Sequence, residues 1–321
     1  MHRRQIIFHL LRRLLMLVPL ALGVTVVVFL LASLIPGGPV AALLAGHSTD
    51  TATIDALRAK FHLDEPLYMQ YGYWLSDLFR GDLGNSIVSG QPVASAIGER
   101  IGTTLALNVT GVFLALLFGV GMGVLAATRR GSTLDRGVVG ATLLLSGAPP
   151  FVLAITGLFV LGFQLGWFPI FGIGSGGLDT VWHLTLPAIV VAIGPLAFIT
   201  KITRAAMIDQ LEQDYVMFAR ARGIPFMSVL FGHAFRNALV PVLTAAGLLF
   251  VGLLTGTVFV ETVFGLPGLG RLLVTSVQFN DFPVTQGIVL IVAAWIVLTN
   301  LVVDLLYAVV DPRVDFGRVA R

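Results

Sequence analysis

The chain of 321 residues contains no cysteine and very little charge. Without cysteine there is no disulfide framework, thiolate metal site, cysteine nucleophile or lipid-modified cysteine, and any segment outside a membrane holds by packing alone. Charged residues are 12% of the total, about half the roughly 25% of soluble globular domains. Lysine is reduced to Lys60 and Lys201. Neither follows a glycine or precedes Ser or Thr, so there is no Walker-type phosphate loop and any ATP is bound by another polypeptide. The six histidines, His2, His9, His47, His62, His183 and His233, have no close metal-ligand spacing, which argues against a zinc enzyme. No Gly-x-Ser-x-Gly elbow occurs either, since Gly172-Ile-Gly-Ser-Gly176 has the wrong order for a nucleophile motif.

What is abundant is apolar sequence: 56% of the residues are hydrophobic and the mean hydropathy is +0.93. Six stretches are long and apolar enough to cross a bilayer: Leu14–Ile35, Thr104–Ala127, Val138–Leu161, Leu184–Ile202, Ala238–Val260 and Val284–Val310. The expected fold is therefore an all-α integral membrane protein with six transmembrane helices and both termini on one side. The first stretch follows Arg3, Arg4, Arg12 and Arg13 and is about twice the length of a signal-peptide core, so it reads as an uncleaved span.

The net charge of +3 and the pI of 9.6 do not indicate nucleic acid, because the basic residues lie in short groups beside apolar runs. Arg3, Arg4, Arg12, Arg13, Arg129, Arg130, Arg136, Lys201, Arg204, Arg220, Arg222, Arg236, Arg313, Arg318 and Arg321 all fall on one face of the expected topology, fifteen of the 20 Lys and Arg. By the positive-inside rule that face is cytoplasmic. The division expected is a tail and first span at 1–35, an external subdomain at 36–103, a five-span core at 104–310 with a cytoplasmic loop at 207–237, and a cytoplasmic tail at 311–321. The external part carries an amphipathic run, Thr53–Phe61, in which Ile54, Leu57 and Phe61 share a helical face. Pro19, the pair Pro149–Pro150, Pro187, Pro195 and Pro241 fall inside spans and predict kinks. Gly119, Gly121 and Gly123 predict close helix–helix approach.

The loop between the fourth and fifth spans is the most informative segment. Asp214 to Gly223 has an Asp at its start, small Ala219 and Ala221, and a terminal glycine able to turn left-handed. Tyr215, Phe218 and Ala219 fall at i, i+3 and i+4, so one face is apolar. Ile224-Pro225 restarts the chain and Phe226 to Asn237 predicts a second short helix. Two short helices joined to two spans make a lever, and a solvated amphipathic loop is the alternative on spacing alone. Glu261, before a Gly/Pro-rich loop with Arg271, is a candidate to meet a substrate's amino terminus on the path, to seal an external gate, or to form a structural pair with that arginine. Asp304 lies inside the last span with Asn300, Tyr307 and Asp311 on one face, as a proton carrier or a structural ion pair.

The run Asp214-Tyr215 with Ala219-Arg-Ala-Arg-Gly223, followed by His233, Arg236-Asn-Ala238 and Pro241, resembles the coupling loop of the dipeptide/oligopeptide and nickel ABC importer permeases. In the general import-permease signature, Glu-Ala-Ala, three residues, Gly, Met217 and Phe218 stand in the first two places, while Ala219 and Gly223 match. Pro36-Gly-Gly-Pro39, Leu63-Asp-Glu-Pro-Leu67, Gly81-Asp-Leu-Gly84, Glu261-Thr-Val-Phe264, Pro267-Gly-Leu-Gly270 and Asn300 to Tyr307 with Asp311-Pro-Arg313 resemble further family segments in order. The long first external segment resembles that of one of the two permease types. The resemblance implies a non-catalytic subunit of an ATP-driven peptide importer in a bacterial cytoplasmic membrane, in contact with lipid. Asp214, Tyr215, Ala219, Arg220, Ala221, Arg222 and Gly223 would meet the ATPase. The partners implied are a homologous second permease, two ABC ATPase subunits or one two-site chain binding ATP and Mg, and an extracytoplasmic substrate-binding protein. This chain would hold no cofactor. The alternatives are a nickel importer of the same family and a proton-coupled secondary transporter.

Overall fold

The computed structural model describes residues 18–30 and 64–310. The run Thr53–Phe61, the N-terminal arginines and the tail after Val310 lie outside the described residues. Among the described residues the regular structure is helical, apart from one isolated antiparallel bridge between Asn85 and Pro92. In chain order the helices are α1 Val18–Leu30, α2 Leu67–Phe79, α3 Val93–Thr128, α4 Thr133–Gly147, α5 Pro150–Gly157, α6 Gly177–Leu211, α7 Asp214–Ala221, α8 Phe226–Val229, α9 Phe235–Val263, α10 Leu269–Gln278 and α11 Phe282–Val310.

Four helices have the length and apolarity to cross a membrane: α3, α6, the helix through Phe226–Leu249, and α11 over Phe282–Val302. The third expected span is instead a bent pair, α4 and α5 with the π-helical continuation Leu158–Gln164, angled by 103°. The bend has a local cause. A residue before proline is pushed out of helical geometry, and both Ala148 (ψ 126°) and Pro149 (ψ 139°) precede a proline and are extended. Pro187 and Pro195, by contrast, are accommodated inside the 35-residue α6. Of the first expected span the described part, α1, is helical.

The chain divides into two compact units, Met1–Gly102 with Leu272–Leu298, and Thr103–Arg271 with Thr299–Arg321. In the first, the Thr25 hydroxyl bonds the Tyr71 hydroxyl at 2.9 Å. Phe29 packs edge-on to Tyr71 and beside Trp74 at centroid distances of 5.4 and 5.8 Å. The buried Asp281 carboxylate accepts from Ser86 Oγ at 2.5 Å and from the Ile87 amide at 3.1 Å. It thereby ties the loop before α3 to the turn between α10 and α11.

In the second unit α3 and α6 meet along a seam that is made by missing side chains. A Cβ on Gly111 would lie 2.8 Å from Val191 Cγ1, one on Gly119 3.0 Å from the Leu196 carbonyl, and one on Gly123 2.5 Å from Thr203 Cβ and 2.9 Å from the Thr200 carbonyl. The spacing of Gly119 and Gly123 is the i, i+4 repeat of one helix face. Gly121, grouped with them by sequence, faces open space. Around the seam Leu107, Ala154, Leu186, Ala188, Val190, Val260, Phe264 and Leu266 form the largest buried cluster. Bilayer tails are as apolar as these side chains, so close backbone approach, rather than apolar burial, selects the partner helix.

Gly123→Ala is therefore expected to cost about 1–3 kcal/mol through overpacking, read as a lower thermal midpoint of the detergent-solubilised protein, while Gly121→Ala leaves the midpoint in place. Equal midpoints for the two variants would contradict the seam.

Candidate functional site

The segment between α6 and α9 folds as a short surface helix followed by a long one. α6 ends at Leu211, and Gln213 precedes α7 without making a side-chain cap. Asp214 is the first residue of α7 rather than its cap, where its negative charge still favours the helix N-terminus. The helix stops at Gly223, which has a φ of +77°. Its amide bonds the Arg220 carbonyl at 2.9 Å, and the Ile224 amide returns to Ala219 at 3.2 Å. The left-handed turn expected of that glycine is present.

The second short helix differs from expectation. Pro225 stands just before α8, and the chain continues through π turns at Leu230–Ala234 straight into α9. What the sequence suggests as a separate helix is the first part of a long one, with His233 in its widened turns. The π turns still alter the helix locally, as such bulges often do near functional positions.

α7 is anchored by Val216, which is 2% exposed, while Met217 and Phe218 are 62% and 64% exposed. The face expected to be apolar, Tyr215 with Phe218 and Ala219, is thus split. Tyr215 is half-buried, its hydroxyl donating to Gln210 Oε1 at 2.9 Å and accepting from Asn237 Nδ2 at 3.4 Å. The ends of α3 and α6 and the chain entering α9 share a buried cluster of Ala127, Met207, Leu230, Ala234 and Ala238. The outward surface joins apolar Met217, Phe218, Phe226, Met227 and Phe231 to exposed Arg220 and Arg222. The Arg220 guanidinium lies 5.7 Å from the centre of the Phe226 ring. Asp214, Ala221 and Gly223 are also exposed, and Ala219 is half-buried.

Glu261 occupies a different environment. It is fully buried, and its carboxylate accepts from the Thr104 hydroxyl at 2.7 Å and the Arg271 amide at 3.1 Å. The Leu269 amide donates to Thr104 Oγ1 at 2.8 Å, and Asn108 Nδ2 bonds the Thr104 carbonyl at 2.9 Å. The side chain thus caps the N-terminus of α10. It bonds the backbone of Arg271, whose guanidinium turns to the Gly265 carbonyl at 2.6 Å. A Cβ on Gly268 would collide with the carboxylate, and one on Gly270 would lie 2.6 Å from Val258 Cα. That close approach is the physical need for the two glycines of the Pro267-Gly-Leu-Gly270 run. Thr104 was not singled out by sequence, since a buried threonine in an apolar run has no signature. The Asp304 and Tyr307 side chains, and Asp311, lie outside the described residues.

A second buried tie was also missed. Arg204 Nε and Nη2 bond the Asp135 carboxylate at 2.6 and 2.8 Å, joining α6 to the first turn of α4. One signal was available: Ser132-x-x-Asp135 has capping-box spacing, and the Ser132 hydroxyl does accept from the Asp135 amide at 3.2 Å. Among the described residues no group of three or more His, Asp or Glu comes together to hold a metal.

Two family models match the chain. The binding-protein-dependent transport system inner membrane component matches residues 119–316, and the N-terminal part of such membrane components matches residues 6–108. A protein of Brucella suis biovar 1, provisionally named a peptide transport system permease, is 40% identical over 309 residues, covering 95% of this chain and 98% of its own. The glutathione transport system permease protein GsiC of Pectobacterium atrosepticum is 41% identical over 307 residues, again covering 95% and 98%. Among solved structures, an inward-facing form of the MetNI methionine ABC transporter matches 68% of this chain and 97% of its own with a TM-score of 0.58. At 17% identity that likeness is one of fold.

The carboxylate knot makes a local forecast. Glu261→Ala removes the acceptor of the Arg271 amide and Thr104→Val that of the Leu269 amide; a buried unpaired donor costs about 1–3 kcal/mol. Hydrogen exchange should quicken roughly tenfold or more at Arg271 in the first variant and at Leu269 in the second. Unchanged protection in both would mean the carboxylate does not hold α10.

Proposed function

We propose that this chain, which belongs to the family of binding-protein-dependent transport system inner membrane components, carries small peptides into the cell as one permease subunit of an ATP-driven importer. Membership of the family makes it a membrane subunit of an ABC importer, which in general works with a second permease, ATPases and a substrate-binding protein. The observation that carries the finer reading of mechanism is the surface of α7. Met217 and Phe218 are exposed where Val216 is buried, beside two exposed arginines, on a helix joined directly to α6 and, through Gly223, to α9. Such a surface suits docking into a groove of an ATPase, with Asp214, Tyr215, Ala219, Arg220, Ala221, Arg222 and Gly223 as the contact segment.

In this reading the ATPase pair binds ATP and Mg, closes, and displaces α7. The displacement is carried into α6 and α9, and the bent α4–α5 pair changes its angle. A cavity of about 240 Å³, lined by Ala148, Pro150, Gly194, Pro195, Gly252 and other apolar residues, gives the bend room to move. The inward and outward forms must bind their partners with different energy for ATP to shift them. The basic loops favour a cytoplasmic location for α7 and both termini.

Peptide cargo is supported by the names of the relatives, since glutathione is itself a small peptide. Glu261 remains a candidate gate element, acting through the start of α10 rather than by meeting the cargo. In vesicles holding the permease pair, the ATPases and the binding protein, glutathione or short peptides should raise ATP hydrolysis several-fold and enter the vesicle, while nickel ions alone do neither. Stimulation by nickel without any peptide effect would overturn the cargo assignment.

A further inference from the structure

α4 is attached to its own chain in an unusual way. Of its fifteen residues only Asp135 and Thr142 are buried, and neither is apolar. Leu143 and Leu144 are 57% and 79% exposed. The apolar side chains of α4 that face the subunit, Leu134, Val138, Val139 and Leu145, are only half-buried, and the buried charge on the helix belongs to a polar contact. That contact is Asp135, whose side chain is 5% exposed, held by both arms of Arg204 and by the Gly131 amide at 2.9 Å. Arg204 projects from α6 a few turns before that helix reaches α7. The neighbouring pair, Arg130 with Glu212, joins the same turn to the end of α6, but both partners are more than half exposed, and exposed pairs contribute little. The fork is the stronger member, because it is bidentate and its carboxylate is buried.

We infer that the Asp135–Arg204 fork is a positioning contact for transport: it clamps the bent α4–α5 pair to the end of α6, so that displacement of α7 reaches the bend instead of being lost. The inference rests on the coupling role proposed for α7. The chain turns sharply on either side of α4. Gly131 has a φ of +80° before the helix, and the bend of 103° at Pro149–Pro150 follows it. The α3–α6 seam, in contrast, is closed by backbone contact at Gly119 and Gly123. Together these set a firm α3–α6 body beside an α4 whose buried charge is tied to α6 by this ion pair, while α5, beyond the bend, is packed into the apolar cluster through Ala154.

The test uses the assembled transporter in vesicles and compares the parent with Asp135→Asn and Arg204→Lys. Asp135→Asn keeps an acceptor for the Gly131 amide and loses the charge; Arg204→Lys keeps the charge and loses the fork. Two readouts are taken. The first is the number of ATP molecules hydrolysed per glutathione or dipeptide transported. The second, which needs no cargo, is the distance between spin labels at Leu144→Cys and Ile189→Cys, made practical by the cysteine-free background.

The clamp predicts a label distance that is the same without nucleotide and with trapped ATP in the parent. In Asp135→Asn it predicts a broad distribution and an ATP cost per cargo raised roughly 5- to 50-fold, with Arg204→Lys between. Assembled variants that keep the parent's narrow distance and its ATP cost would overturn the inference. If Asp135→Asn fails to assemble, Arg204→Lys decides alone by the same two readouts. Failure of the parent to transport any peptide would count against the cargo reading only, because the label distances test the clamp separately.

Discussion

Close approach between α3 and α6 is the constraint on which the second unit depends. In a bilayer an apolar side chain gains little by leaving lipid for a neighbouring helix, so helices recognise each other by backbone proximity and by polar groups that lipid cannot satisfy. Gly111, Gly119 and Gly123 remove the side chains that would hold α3 away from Val191, Ile199 and Thr203. Once that seam is formed, Thr104 on α3 can reach Glu261 on α9, and Met207 on α6 can pack with Ala127, Leu230 and Ala234. The surface helix α7, which contributes one buried residue, Val216, continues from the end of α6 and is therefore joined to one side of the seam by the chain itself.

Polar ties then fix what the seam leaves loose. The Glu261 carboxylate closes the N-terminus of α10, and the Asp135–Arg204 fork holds α4. Each joins elements distant in sequence, and each is buried where a lost partner is expensive. In the first unit Asp281 has the corresponding role against Ser86 and Ile87. The same low-dielectric setting that makes such contacts strong confines them to a few positions.

Much of this was legible from the residues. Long apolar stretches locate α3, α6, α9 and α11 because length and apolarity are the conditions for crossing lipid, and Gly223 was readable because a left-handed stop favours glycine. The start of α3 at Val93 was not, since Glu99 and Arg100 dilute the apolar signal while leaving helical geometry undisturbed. Pro149–Pro150 predicted a kink, but only the extended ψ of both Ala148 and Pro149 reveals a full break. Pro187 and Pro195 carry the same one-letter signal without breaking α6. Glu261 was flagged as a charge beside Arg271, yet its partners are a hydroxyl on α3 and backbone amides, which periodicity cannot report. Arg204 counted in sequence only as one more positive charge near a span, and its pairing with Asp135 is visible only in three dimensions.

The central claim is that the exposed face of α7 is where force from ATP hydrolysis enters this subunit. The most direct measurement is photocrosslinking from a single photoreactive residue at Phe218, which is 64% exposed, in the intact transporter. The account predicts a crosslink to an ATP-hydrolysing partner chain whose yield changes when ATP is trapped. Crosslinks to lipid or to other parts of this chain alone, indifferent to ATP, would contradict it.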